Sequence, residues 1–170
     1  MLHPQEGREI AKSANQKISK SANRTISRVS MEKSDWTCYE NWLATVPKQI
    51  TGEEIWQFFG YRKALFFYEV CWLDCEKLSK HPLGQPVAKQ LIRSAGSISA
   101  NIEEGSGRGF SQDRLRFLRI ALGSARESKG WYFRAKNLLK SEVLDHRLSI
   151  ISEIIALLIT EIQNSKAKLR

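Results

Sequence analysis

The sequence predicts an all-α protein: an up-down-up-down antiparallel four-helix bundle with an extra N-terminal helical segment and a disordered leader. Three observations carry this. No period-two run of β-branched residues occurs in the 170 residues, so nothing reads as a half-buried strand. Four long stretches place apolar residues at steps of three and four, the spacing that lines one face of a helix. Short turns separate those stretches, and short connections make consecutive helices antiparallel neighbours.

The leader is residues 1–34. It holds an octad repeated back to back, Lys12 to Ser19 and Lys20 to Ser27, rich in Ser, Asn and Lys. So few large apolar groups cannot offset ordering entropy by burial, and disorder is expected. An organellar transit peptide and an extension upstream of a start at Met31 are the other readings of this composition.

Residues 35–50 read as a short helix and linker. Thr37 and Glu40 have capping-box spacing, and the helix must stop before Pro47. The bundle is residues 51–170. Thr51 and Glu54 repeat the capping spacing and predict one helix to about Lys80, with Ile55, Phe58, Leu65, Phe66, Val70, Leu73 and Leu78 on its apolar side. His81-Pro82-Leu83-Gly84 ends it. Pro86 suits the first turn of a second helix, which runs to about Glu104 and stops at Gly105-Ser106-Gly107. Ser111 caps a third helix reaching about Lys140. A fourth covers about Ser141 to Lys168, with Leu144, Leu148, Ile151, Ile155, Leu158 and Ile162 as its seam.

Several functions are excluded at this level. Charges interrupt every apolar stretch before about 18 residues, so no membrane span is expected, and the start lacks the apolar core of a signal peptide. Cys38, Cys71 and Cys75 are too few, and odd in number, for a secreted disulfide framework, which points to a reducing cytoplasm. A di-iron bundle needs paired Glu-x-x-His, yet Leu78 and Val143 stand three residues before His81 and His146. His3 falls in the leader. Glu142 and His146 are spaced for a surface hydrogen bond. Cys71 and Cys75 share a helix face but lack a second pair of ligands, and read as small buried hydrophobes. Glu103 and Glu104 are adjacent and point to different faces, so they form no acid–base dyad. The expectation is a non-enzymatic protein with no catalytic residues, metal or cofactor.

Small residues mark two of the helices. Ser94, Ala95, Gly96, Ser97, Ser99 and Ala100 lie in the second; Ala121, Gly123, Ser124, Ala125 and Ser128 lie in the third. Such residues let helix axes approach to the short end of about 8–10 Å. Gly96 and Gly123 each cost about 1 kcal/mol relative to Ala, and close packing is expected to compensate. Ser97, Asn101 and Ser124 are expected to exchange hydrogen bonds across that contact. Glu104, badly placed for the helix dipole, is expected to find a cation such as Arg108.

The stretch from Gln90 to Arg108 (QLIRSAGSISANIEEGSGR), followed by FLRIALGSARES from Phe117, resembles the signature of a four-helix-bundle family encoded in intervening sequences of bacterial large-subunit rRNA genes. The matching positions include Gln90, Leu91, Arg93, Ser97, Ile98, Asn101, Ile102, Glu104, Gly105, Arg108, Phe117, Ala121, Gly123, Ser124 and Glu127. The resemblance spans about Tyr61 to Ile162, leaving the leader and the Trp36–Gly60 segment unexplained. It implies a fold similar to the accessory protein of diversity-generating retroelements, a pentamer that binds a reverse transcriptase and nucleic acid. By that resemblance, the expected partners are copies of the chain itself (a homo-oligomer, a pentamer among the options), nucleic acid and a reverse transcriptase.

The charge distribution gives the residues a voice of their own. Lys and Arg number 27 against 18 Asp and Glu, a net +9. Residues 111–140 hold eight bases and two acids, so +6 of that +9 lies on the third helix. Arg116, Arg119, Arg126, Lys129, Arg134 and Lys140 fall on one arc opposite Phe117, Ala121, Ser124, Ser128, Trp131 and Ala135. Arginine suits fork-like phosphate contacts, and RNA or DNA backbone is the expected partner of this arc together with Arg108. A solvated face and a surface for an acidic protein such as a polymerase are the alternatives. Tyr132 and Phe133 lie beside the arc, where base stacking competes with core packing. Finally, the aromatic residues from Trp36 to Trp72 exceed what one seam can bury, which calls for cover by the Trp36–Gly60 segment, by another subunit, or by both.

Overall fold

The computed structural model describes residues 38–109 and 111–169, so the predicted leader, Trp36 and the Thr37 cap lie outside the described residues. The chain divides into two units, residues 1–41 and 42–170. In the first, the described part is the start of α1 (Tyr39–Leu43), where the Cys38 thiol donates to Glu40 Oε2 at 2.9 Å. The second contains α2 (Lys48–Thr51), a 3₁₀ turn (Glu54–Gln57), α3 (Phe59–Leu78), α4 (Gln85–Ser106), α5 (Gln112–Arg134) and α6 (Ser141–Ala167). No strand occurs among the described residues.

The four long helices pack as a bundle in which α3 meets α4 and α6, and α5 meets α4 and α6. Specific pairs give the directions. Tyr61 bonds Glu103 and Cys75 bonds Ala88 O, so α3 and α4 are antiparallel. Ser94 bonds Ser128 and Ser97 bonds Ser124, so α4 and α5 are antiparallel. Arg114 pairs with Glu161 and Lys129 reaches Ser152, which fixes α5 against α6. The core is Ala64, Phe66, Phe67, Val70, Leu91, Ala95, Ile98, Leu118, Ala121, Ala125, Tyr132, Ile151, Ile154 and Leu158, all essentially closed to water.

Three sequence expectations are corrected. The helix predicted from Thr51 to Lys80 begins only at Phe59, because Glu53 (ψ 144°) and Phe58 (ψ 108°) are extended and the chain between them is a single 3₁₀ turn. The reason is Trp56. Five residues before Tyr61 it would point well away from Tyr61 on a straight helix. The break lets the two rings meet edge to face at 6.3 Å, with Trp42 completing the cluster against Trp56 and Phe66. Residues 42–58 cluster with the unit that holds the four long helices, and Trp42 and Trp56 cover the rings of Phe66 and Tyr61.

The third bundle helix ends at Arg134, not near Lys140. Leaving the helix at Ala135 allows Leu138 to reach the α3–α4 turn, where a Cβ on Gly84 would lie 3.1 Å from Leu138 Cδ1. On α6 the buried positions are Arg147, Ile150, Ile151, Ile154, Leu158, Ile162 and Ser165. Leu144, Leu148 and Ile155 are only half-buried. The seam is displaced because Arg147 enters the core to meet Asp74.

Candidate nucleic-acid interface

The basic helix is set in place by its ends. Ser111, extended at φ −140° and ψ 169°, accepts from the Arg114 backbone N–H at 3.3 Å, the capping bond that frees the helix start from water. Arg114 turns inward and pairs with Glu161 on α6 at 2.9 Å. The arc that remains outward is Arg116, Arg119, Arg126, Lys129 and Arg134, all exposed.

These cations divide into two files. On the side toward α4, Arg116 and Arg108 are paired with carboxylates, and Arg134 rests on a ring. Arg116 lies 3.6 Å from Asp113 and 4.5 Å over the Phe117 ring; Arg108, also over Phe117, is paired with Glu104. Arg134 lies over Trp131 at 4.8 Å. On the side toward α6, Arg119 and Arg126 have no carboxylate within ion-pair distance among the described residues. Lys129 donates to Ser152 Oγ at 2.9 Å, a neutral group that leaves its charge unanswered. Arg119 also shares a shallow notch with Gln112 and Lys166, which adds a cation that reading α5 alone did not find. Arg119 and Arg126 are seven residues apart, about 10.5 Å along the axis.

Gly123 lies within this arc. A Cβ there would meet nothing within 4 Å, so it does not serve packing between helices of one chain. That expectation fails because position 123 faces outward. Gly96 and Gly105 do serve packing: a Cβ at 96 would lie 3.1 Å from the Tyr68 ring, and one at 105 would lie 3.1 Å from Phe117 Cβ.

The residues of the sequence signature turn to one another. Ser124 Oγ donates to Ser97 Oγ at 3.0 Å, and Asn101 Nδ2 donates to both Ser97 O and Oγ at 2.7 and 2.9 Å. Arg93 pairs with Glu127 at 2.7 Å, and Arg108 Nε donates to Glu104 Oε1 at 3.1 Å. Ser97–Ser124 and Arg93–Glu127 cross from α4 to α5, where Gly105 also packs; Asn101, expected to bond across that contact, bonds only Ser97 of its own helix, and Glu104 pairs with Arg108 one turn on.

A second polar cluster is fully inside. Asp74 is 1% exposed and Arg147 4%. Arg147 Nε and the Tyr132 hydroxyl donate to the same Asp74 oxygen at 2.7 and 2.9 Å. Burial, then the neighbouring Cys71 and Asp74, hold the Tyr132 hydroxyl well above its ordinary pKa, so it stays a donor. Arg147 Nη1 also abuts Nδ1 of His146; a guanidinium only donates, so this contact is a hydrogen bond only when Nδ1 carries no proton. Cys71 and Cys75 lie alongside, Sγ to Sγ 3.8 Å, both buried. No group of three or more His, Cys, Asp or Glu among the described residues is arranged to hold a metal ion. No helix among them is long and apolar enough to cross a membrane.

Four antiparallel helices, a signature gathered along α4 and α5, and a basic outward face define a helical-bundle protein. Residues 60–160 match the 23S rRNA-intervening sequence protein family, and the chain belongs to that family. It is similar to a crystal structure of a protein of unknown function from the S23 ribosomal protein family of Bacteroides thetaiotaomicron VPI-5482. The TM-score is 0.57 with 28% identity, over 61% of this chain and 97% of that one. No curated protein matches the chain.

Proposed function

We propose that this chain is a non-enzymatic, self-associating accessory protein of the cytoplasm that presents α5 to the phosphate backbone of RNA or DNA. The observation that carries the reading is the file of Arg119 and Arg126, exposed and without carboxylate partners among the described residues, beside Lys129 and Lys166. Unanswered surface guanidiniums raise the local anion concentration and supply forked donors to phosphate. Arg108, Arg116 and Arg134 are held by side chains of their own chain and contribute charge more than contacts.

Self-association is supported by α3. Trp72 remains 51% exposed, its indole N–H donating to Glu76 at 3.2 Å, and it packs at 6.3 Å from Tyr68 on the outward side of the α3–α4 contact. An exposed indole beside the half-buried Tyr68 is a surface that a second copy would cover.

Retention on heparin and on a short RNA tests the reading. Loss of both in Arg119→Glu/Arg126→Glu, with helicity unchanged, supports direct contact with nucleic acid. Unchanged RNA affinity in that pair contradicts it and leaves an acidic protein as the partner of the face.

A further inference from the structure

Phe133 is the anomaly of the basic face. It is 58% exposed, the most exposed aromatic residue among the large hydrophobics of the described chain, while its neighbour Tyr132 is buried. It stands seven residues after Arg126 and fourteen after Arg119, so the three form one file along the outside of α5. Lys129, one turn earlier, shares that side, and Lys136 places its ammonium 4.7 Å from the ring centroid. A purely solvated face gains nothing from an open phenyl ring, and a duplex presents its phosphates and groove edges, not base faces, to a straight rod. An aromatic ring among cations matches the two needs of an unpaired strand: a platform for a base and positive charge for the flanking phosphates.

We propose that the strand bound by this face is single-stranded, with one base stacked on Phe133 and adjacent phosphates held by Arg126, Lys129 and Lys136. The inference rests on the nucleic-acid reading of α5 and narrows its ligand to an unpaired polynucleotide. Stacking is indifferent to base identity, because every base has a π-face, so no sequence preference accompanies it.

The test is fluorescence anisotropy of full-length protein with a 12-nucleotide oligo(U) RNA, a 12-nucleotide oligo(dT) and a 12-base-pair RNA duplex, across a salt series. Phe133→Ala is expected to weaken binding to the single strands about tenfold, leave the duplex unchanged and leave the salt slope unchanged; Phe133→Trp is expected to retain binding. Comparable affinity for the two single strands assigns the site to unpaired strands in general, and a strong preference for oligo(U) assigns it to RNA; both support the proposal. Equal binding of single strands by Phe133→Ala and the natural chain overturns this inference alone. A shift in sedimentation of Phe133→Ala assigns the ring to a contact between copies and overturns it too. Absence of salt-dependent binding by the natural chain overturns it together with the reading on which it rests.

Discussion

Arg147 Nε donates to Asp74 Oδ2 at 2.7 Å, joining α6 to α3 across 73 positions of sequence in the closed centre of the bundle. Two charges so placed have lost their water, and their attraction is offset by that desolvation. The pair therefore specifies register more than it adds stability. Removing one partner leaves a buried charge alone, and Asp74→Ala is expected to cost about 3–5 kcal/mol. The double change Asp74→Leu/Arg147→Met is expected to recover most of that loss. Urea unfolding of the three proteins checks this; a double variant no more stable than Asp74→Ala contradicts it.

The glycines of the signature respond in opposite directions to the same change. Gly123→Ala gains about 1 kcal/mol of helix propensity at a site with open space and is expected to raise the melting temperature. Gly105→Ala sets a methyl group 3.1 Å from Phe117 Cβ, an atom fixed to its backbone, and is expected to lower it. Thermal melts by circular dichroism read both signs.

His146 makes stability depend on pH. Partial burial, the Arg147 guanidinium and Lys63 lower its pKa, against a smaller opposing effect of Asp74. The unfolded chain then binds the proton more readily than the folded one, so stability falls as pH drops below about 6.5 and levels off below the folded pKa. Burial raises the pKa of Glu69, a penalty relieved only as pH falls toward the ordinary carboxylate range. The two windows are distinct, with histidine acting first. His146→Gln is expected to flatten the change in urea midpoint between pH 7 and pH 5.5.

Thiol chemistry separates the three cysteines. Cys38 is exposed, whereas Cys71 and Cys75 are buried. The hydrogen bond with Cys75 and then burial push the Cys71 thiol far above its ordinary range, so it presents almost no thiolate. Iodoacetamide on the folded protein is expected to add one label, at Cys38, and three after denaturation, as read by intact mass.

Much of the bundle was legible because its signals are local. The Ser111 cap, the proline in the first turn of α4 and the small residues of α4 and α5 state their roles within a few positions. What escaped depended on distant partners. A capping box at Thr51 and Glu54 is a sound local signal, yet the burial of Trp56 against Trp42 and Tyr61 outweighs it. Arg147 breaks an apolar pattern on α6, and nothing near it announces Asp74. On the basic helix, periodicity placed Arg116, Arg119, Arg126, Lys129 and Arg134 outward. It did not show that Asp113, Phe117 and Trp131 engage two of them, nor that Lys166 joins Arg119 from another helix.

The salt dependence of RNA binding tests the role of α5 most directly. Affinity for a short single-stranded RNA, measured from 50 to 300 mM salt, is compared for the natural chain and Arg119→Gln/Arg126→Gln. Counterion release predicts a linear fall of log K with log salt, shallower by about 1.4 in the variant because two phosphate contacts, each contributing about 0.7 on a single strand, are gone. Equal slopes in the two proteins contradict a phosphate-binding role for this face.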